Sequence, residues 1–387
     1  MKEQKLLEII KSILNRQQSC ACHMMPEDWK PVMVLAGRHK LLHLLGFALE
    51  LFPREELPDA SVCAEIRKSM LSTAMVSNNQ QYAAQQIQQC FEEKGIFNLL
   101  LKGVSTRKLY PNPDMRTMND VDILCKPSQQ KQIHESMEQL GFTGYQEGRK
   151  HDCYDRPPFV RVEMHRQMVA ARSPFSGYYR SIWNRCVPKA GCKYTCELSV
   201  TDEFVYNLVH LAEHLEEGGV GIRFLVDVYV FDCCEEVDRD RLKAELEKIG
   251  LYRLYQNVSC LAKLWFAPMT PQLSEEQAAL MERLGNFVLE GRLFGKPGDG
   301  SALAVQKEGR IGFFLKSCFP GFKEMCSMYP WLEKWPILLP WAWMRRGVTS
   351  VLFRRKNVRS RFNASRSGDK DRGEQLRNLY REIGYER

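Results

Sequence analysis

Two short runs hold the residues best able to do chemistry: Arg116-Thr117-Met118-Asn119-Asp120-Val121-Asp122-Ile123-Leu124 and Val160-Arg161-Val162-Glu163-Met164-His165. In a β-strand, residues two apart share a face. Asp120 and Asp122 therefore project together, while Val121 and Ile123 project the other way, into a core. The second run repeats the pattern, with Val160, Val162 and Met164 on its apolar face and Arg161, Glu163 and His165 on its polar face. Paired strands of this kind bring Asp120, Asp122 and Glu163 together. Packed carboxylates repel one another and raise each other's pKa values, a cost that a divalent cation removes. Mg²⁺ takes hard oxygen ligands and leaves positions open for water and phosphate. Two such ions roughly 3.5–4 Å apart serve an in-line displacement at phosphorus. The chemistry expected is phosphoryl or nucleotidyl transfer.

The run Leu99-Leu100-Leu101-Lys102-Gly103, then Leu109-Tyr110-Pro111, Arg116, Asp120-Val121-Asp122-Ile123-Leu124, Leu140-Gly141-Phe142 and Val162-Glu163-Met164-His165 resembles the uncharacterised nucleotidyltransferase family of the polymerase beta-like superfamily. The resemblance continues through His210-Leu211-Ala212-Glu213-His214 and Arg223-Phe224-Leu225-Val226-Asp227, loosely over residues 30 to 350 and closely over 95 to 230. It implies an α+β fold with a small mixed sheet flanked by helices. It also implies Mg²⁺ dependence, with two ions, and transfer of a nucleoside monophosphate from ATP or another nucleoside triphosphate to an acceptor hydroxyl with release of pyrophosphate. Asp120 and Asp122 match the paired metal-binding aspartates, and Glu163 stands where the superfamily usually has a third aspartate. Glu163 either completes the second metal position or acts as base toward the acceptor.

The chain departs from the superfamily after its first strand. Where Gly-Ser is common, it has Lys102-Gly103-Val104-Ser105, and the stretch to Asp120 is longer than usual, with Pro111 and Pro113. Lys102, Gly103 and Ser105 are accordingly expected at the triphosphate, with Lys102 supplying charge that the usual turn supplies through backbone N–H groups. Arg116 either neutralises substrate phosphate or braces the carboxylates. Arg223 either pairs with Asp227 at i, i+4 or grips a phosphate bidentately. His165 is placed to orient a carboxylate or substrate. A non-catalytic nucleotide- or partner-binding protein on the same fold is the alternative reading.

His210-Leu211-Ala212-Glu213-His214 also matches the inverted zincin pattern H-x-x-E-H, whose two histidines share a helix face; a zinc hydrolase, a site-facing polar role and ordinary packing all remain open for it. Tyr329 to Arg346 is rich in tryptophan and proline. From Arg345 to Arg366 there are eight Lys or Arg and no acid, within a net charge of +8. Such a segment suits either a packed helix with a solvated basic tail or weak contact with nucleic acid or an anionic membrane surface. Residues 364–375 read as flexible.

With 387 residues, 44% hydrophobic and 26% charged, the chain has a globular composition and more length than one typical domain. Its fourteen cysteines are scattered, several within apolar runs, and none forms C-x-x-C. The N-terminus leads into an amphipathic helix and not a secretory apolar stretch. We read reduced thiols and a cytoplasmic location. No run of roughly twenty apolar residues predicts a membrane span.

Periodicity then supplies the elements. Helical spacing covers 3–15, 27–51 and 60–94, the last with a glutamine-rich face (Gln80, Gln81, Gln85, Gln86, Gln88, Gln89) that reads as solvated. Strands are expected at 96–101, 121–125, 142–147, 158–165 and 193–199, with short helices at 104–110 and 127–140. Helices follow at 201–217 (Thr201 as N-cap), 221–234, 239–249 and 252–266. The expected organisation is a helical N-terminal region (1–94), a nucleotidyltransferase core sheet (95–200), a helical bundle packed on the core (201–270) and a C-terminal helical region with a basic tail (271–387). The acceptor is left open among small molecules, proteins and RNA.

Overall fold

A computed structural model describes residues 2–146, 151–158, 160–296, 298–353 and 370–386. The fold is α+β. Among the described residues the seven strands are β1 (Asn98–Leu100), β2 (Val121–Cys125), β3 (Gly144–Gln146), β4 (His151–Arg156), β5 (Val160–His165), β6 (Val187–Pro188) and β7 (Thr195–Glu197). They form one mixed sheet in the order β3-β4-β5-β2-β1-β7-β6. β2 runs antiparallel to β1 and parallel to β5, and β5 runs antiparallel to β4. Two strands escape the sequence reading. β6 is only two residues long, and β4 reads His-Asp-Cys-Tyr-Asp-Arg, with no aliphatic alternation to announce it.

The helices fall close to their expected positions: α1 (Lys2–Leu14), α2 (Trp29–Arg38), α3 (Leu44–Ala48), α4 (Ala60–Glu93), α5 (Gly103–Thr106), α6 (Gln130–Gln139), α7 (Val200–Glu217), α8 (Ile222–Asp232), α9 (Arg239–Lys248) and α10 (Tyr252–Phe266). Thr201 does not cap α7. Ser199 Oγ accepts from Asp202 N at 3.1 Å, and Thr201 Oγ1 instead accepts from Asp238 N at 3.0 Å. Further helices are Glu275–Glu290, Asp299–Cys318, Phe322–Met328, Leu339–Phe353 and Lys370–Glu382. The last covers part of the stretch expected to be flexible; its Arg372 holds Asp299 through two hydrogen bonds of 3.1 and 3.0 Å. Residues 364–369 and the basic block from Arg354 to Arg366 lie outside the described residues.

The chain forms two compact units: Met1–Glu213 with Val220–Leu293 and Ile383–Tyr385, and His214–Gly219 with Phe294–Glu382 and Glu386–Arg387. The sheet belongs to the first. Val121, Ile123, Cys125, Val160, Val162 and Met164 point to one face and pack against Ala83, Ala84, Ile87 and Phe91 of α4 and Ile133 and Met137 of α6. The period-two alternation of β2 and β5 thus makes one face of the sheet a dry core and reserves the other for polar side chains.

The glutamine face of α4 is only partly solvated. Gln80 and Gln88 are buried, and Gln81 and Gln86 accept hydrogen bonds from Arg107 and Arg156 at 3.1 and 2.9 Å. They flank the Ala83–Ala84–Ile87 stripe, so the helix turns some of them toward the sheet. At the end of α4, the Glu92 carboxylate accepts from the backbone N–H groups of Lys193, Tyr194 and Thr195 (2.6–3.2 Å), which pins β7 to the sheet.

The long stretch from Gly103 to Asp120 is laced from both ends. Arg107 bonds Asp114 (2.6 Å), Pro113 O (3.2 Å) and Gln81. His43 contacts Met115 O at 2.8 Å. Arg116 grips both oxygens of Asp227 on α8 at 2.8 and 2.9 Å, and Tyr110 Oη donates to the same carboxylate at 2.6 Å. Arg116 and Asp227 are both buried. Burial works to raise the Asp227 carboxyl, but the charge and bonds of Arg116 reverse that and hold it below the usual range. Removing one partner of such a pair leaves the other charged and buried, at a cost of about 3–5 kcal/mol. Asp227→Ala should lower unfolding free energy in urea at neutral pH by about that amount, and Tyr110→Phe by about 1 kcal/mol. Because the folded-state carboxyl is depressed, the contribution of Asp227 is present above its unfolded pKa and disappears as pH falls through the folded value; an Asp227→Ala loss of the same size at pH 2 and pH 7 would contradict this account.

Candidate functional site

The polar face of the sheet is built by register. Asp122 lies directly beside Glu163 in the parallel β2–β5 pair, and His165 lies opposite His151 in the antiparallel β4–β5 pair. Residues so paired share a face, so one step of strand slippage would send all of them into the core. Asp120, two residues before Asp122, joins the same side.

Lys102 enters from the end of β1. Leu101 N donates to the Asp122 carbonyl at 2.9 Å, which extends the β1–β2 pairing up to the turn. Lys102 then adopts φ 44°, ψ −118°, an unusual backbone for a residue with a Cβ. Its carbonyl accepts from Ser105 N and Thr106 N (both 3.0 Å) and from their hydroxyls (2.8 and 3.2 Å), which locks the turn. The ammonium comes to rest 4.0 Å from Asp122 Oδ2 and 5.6 Å from the centre of the Tyr206 ring. Gly103 has no room for a side chain, since a Cβ there would stand 2.7 Å from Met118 Cγ.

Charge is finely opposed in this cluster. Burial, then the carboxylates of Asp122 and Glu163, push Asp120 up to about 6. Burial also works to raise Asp122, but Lys102 and a 2.6 Å hydrogen bond with His165 Nε2 bring it down to about 2. His165 is buried, which disfavours its cation; its bonds to Asp122 and Glu163 outweigh that and raise it. His151 is lowered by burial and by His165. Glu163 Oε2 sits between the imidazoles, 3.2 Å from His151 Nε2 and 3.6 Å from His165 Nε2.

The site residues expected from sequence divide into two groups. Lys102, Asp120, Asp122 and Glu163 come together, with His165 beside them. Gly103 and Ser105 belong to the Lys102 turn, and Arg116 and Arg223 take other partners. Ser105 turns its hydroxyl to the Lys102 carbonyl, Arg116 is committed to Asp227, and Arg223 donates to Thr117 O at 2.7 Å. Asp227 therefore takes Arg116, and not its helix neighbour Arg223, as its hydrogen-bonded partner. Burial and the charge of Arg116 pull Arg223 down to about 10. Both arginines hold the loop that carries Asp120.

Three residues of this neighbourhood are not among the site residues expected from sequence. His151 sits on β4, which lacks a strand signature. Glu203 and Tyr206 lie one turn apart on α7 and line a small cleft with Lys102, Ser105 and Asn207; burial pushes Glu203 up to about 7 against a bond from Ser105. Their helical spacing gave no sign that this face of α7 meets Lys102.

Asp120, Asp122 and Glu163 offer oxygen donors of the kind a hard divalent cation takes. Asp120 is also held unfavourably as an anion, the condition a cation relieves. His151, Glu163 and His165 present donor atoms that all lie within 4.8 Å of one another. Of the H-x-x-E-H histidines of α7, the His210 ring packs 5.8 Å from Phe224, and His214 pairs with Glu217 at 3.1 Å and packs on Phe294. Among the described residues the cysteines form no disulfide, and Cys20 and Cys22 Sγ lie 3.4 Å apart.

The mixed sheet thus carries Asp122 on β2, Asp120 just ahead of it, and Glu163 on the parallel neighbour β5. A family model described as uncharacterised nucleotidyltransferase matches residues 25–267, and the chain belongs to that family. No curated protein and no solved structure matches the chain. Among the described residues, no helix is long and apolar enough to cross a membrane.

The repulsion at Asp120 has a measurable sign. With its folded-state pKa raised, Asp120 costs stability once pH exceeds that value and costs nothing below its unfolded pKa. In chelator-treated protein, Asp120→Asn should raise unfolding free energy near pH 8 by up to about 3 kcal/mol, and the gain should vanish near pH 3. Equal urea midpoints for the two proteins at pH 8 would show that the carboxylates are not in opposition.

Proposed function

We propose that the chain transfers a nucleoside monophosphate from a nucleoside triphosphate to an acceptor hydroxyl, in a Mg²⁺-dependent reaction at the Asp120–Asp122–Glu163 cluster. The observation that carries this reading is the in-register placement of Asp122 beside Glu163, with Lys102 at the same carboxylate. Asp120, Asp122 and Glu163 are the residues that would hold Mg²⁺. When bound, the metal supplies charge neutralisation at the triphosphate and at the attacking oxygen.

The chain's own residues do the remainder. Lys102 offers a fixed positive charge beside the carboxylates. Burial and its locked turn preorganise that charge, so little is lost in ordering it when an anion arrives. Burial alone disfavours the ammonium, but Tyr206, Asp122, Asp120 and Glu163 overcome this and keep it protonated. The acceptor oxygen forms its bond to the α-phosphorus as the bond to the bridging oxygen breaks. Pyrophosphate leaves with the bonding electrons, and the acceptor's proton passes to solvent. His165 fixes the Asp122 carboxylate, and Arg116 and Arg223 fix the loop ahead of Asp120, which supports a rate drawn from positioning and charge.

A second reading rests on the same lysine. The Lys102 ammonium already offsets Asp122, as a protein that binds a nucleotide or partner without turnover would allow. The two readings part on labelled transfer. Incubation with Mg²⁺ and α-labelled nucleoside triphosphates in a cell extract should move label onto an acceptor with stoichiometric pyrophosphate. Asp120→Asn with Asp122→Asn should reduce the rate by about 10³ or more while leaving the circular dichroism spectrum intact. Calorimetric triphosphate binding with no label transfer to any acceptor favours the binding protein, and full transfer by the double variant removes the assignment. Lys102→Met should weaken triphosphate binding by about tenfold or more, since a charge-assisted contact is worth about 1.5–3 kcal/mol.

A further inference from the structure

We infer that His151, Glu163 and His165 form an imidazole-bearing ion position within the carboxylate cluster, one that takes a borderline first-row divalent ion (Mn²⁺, Co²⁺ or Zn²⁺) in preference to Mg²⁺. The inference rests on the transferase reading only for its place in the reaction; the ion position stands on its own geometry.

Two Nε2 atoms converge on a single carboxylate oxygen. His151 Nε2 lies 3.2 Å and His165 Nε2 3.6 Å from Glu163 Oε2, and the three donors fall within 4.8 Å of one another. Bonds of about 2.0–2.2 Å to one ion, at tetrahedral to octahedral angles, place donors roughly 3–3.6 Å apart. The two histidine–glutamate separations already meet that spacing. The backbone enforces the convergence, because His151 and His165 face each other across the β4–β5 ladder and their rings lie 4.8 Å apart. The two rings are tilted by 54°, and both present Nε2 to the same carboxylate oxygen.

Donor chemistry then selects the ion. Mg²⁺ prefers oxygen and retains its water, whereas imidazole suits the first-row transition ions and zinc. Asp122 Oδ1 on the neighbouring strand, hydrogen-bonded to His165 Nε2 at 2.6 Å, orients that imidazole. On binding, the proton that His165 Nε2 shares with Asp122 is released to solvent, so uptake is accompanied by proton release. The cluster would thus hold one ion among oxygens alone, at Asp120 and Asp122, and one with nitrogen ligands at the β4–β5 edge. The consequence is an enzyme whose best cofactor mixture contains manganese, cobalt or zinc and not magnesium alone.

The test uses the full chain and Mn²⁺ as probe. Pulsed electron paramagnetic resonance of the stoichiometric Mn²⁺ protein should show nitrogen couplings from directly bound imidazole. His151→Ala should weaken Mn²⁺ binding by about tenfold or more while changing Mg²⁺ affinity less than about threefold. His151→Gln, which keeps the size and polarity, should also lose the nitrogen coupling of that ring. A wild-type Mn²⁺ spectrum with no nitrogen coupling overturns the inference, whether or not the variants fold. So does a loss of Mg²⁺ and Mn²⁺ affinity in equal measure. The two readings fail separately: nitrogen couplings in a protein that never transfers label would remove the transferase and leave the ion position, and Mg²⁺-supported transfer in a protein whose Mn²⁺ shows no nitrogen would do the reverse.

Discussion

Mutual repulsion among Asp120, Asp122 and Glu163 is the constraint around which this molecule is organised. The carboxylates share one face because β2 and β5 run parallel with Asp122 beside Glu163. Left alone, three such groups would protonate or separate. The fold answers with a lysine on a strained turn and a histidine at hydrogen-bond distance, and the load is unevenly shared. Asp122 has both partners and stays deeply ionised, while Asp120 has neither in direct contact and is pushed up to about 6. A dry core of aliphatic residues on the other face keeps β2 and β5 in register, so hydrophobic packing is what enforces the electrostatic opposition.

The stretch between Gly103 and Asp120 shows how a long connection becomes part of a site. Length alone would leave Asp120 on a mobile loop. Arg107 ties it to α4, Arg116 and Arg223 both tie it to α8, and His43 ties it to the segment just ahead of α3, with the Arg116–Asp227–Tyr110 group fully buried. Arginine serves here because its fork matches a carboxylate bidentately, and a buried carboxylate on α8 without such a partner would be costly. Arg116 and Arg223 thus make internal hydrogen bonds, while the Lys102 ammonium stands 4.0 Å from the Asp122 carboxylate.

Family membership and geometry meet at different levels. The family model spans residues 25–267, which takes in the whole sheet and the α7, α8 and α10 helices beside it. The second compact unit, formed mainly by Phe294–Glu382, lies almost entirely outside that span. It has its own small core of Met325, Cys326, Leu332 and Ala342, and it exposes Trp335, Ile337, Trp341 and Met344. What is common to the family therefore resides in the first unit, where the carboxylates are.

Sequence alone determined the elements whose signal is local. The alternation in Asp120–Leu124 and Val160–His165 specified two strands, their faces and the convergence of their acids, because side-chain direction in a strand follows from a period of two. Helical spacing placed α1, α4 and α7 to α10 within a few residues. Tertiary structure decided everything that depends on which chain segments meet. It brought β4, without any strand signature, against β5 and so delivered His151. It gave Asp227 to Arg116, more than a hundred residues distant, in place of Arg223 one turn away. It turned Gln80 and Gln88 inward and moved the cap of α7 from Thr201 to Ser199. The physical reason is the same in each case: a period or a spacing fixes where a side chain points along its own element, whereas its partner is set by burial and by competition among all the charges that folding brings within reach.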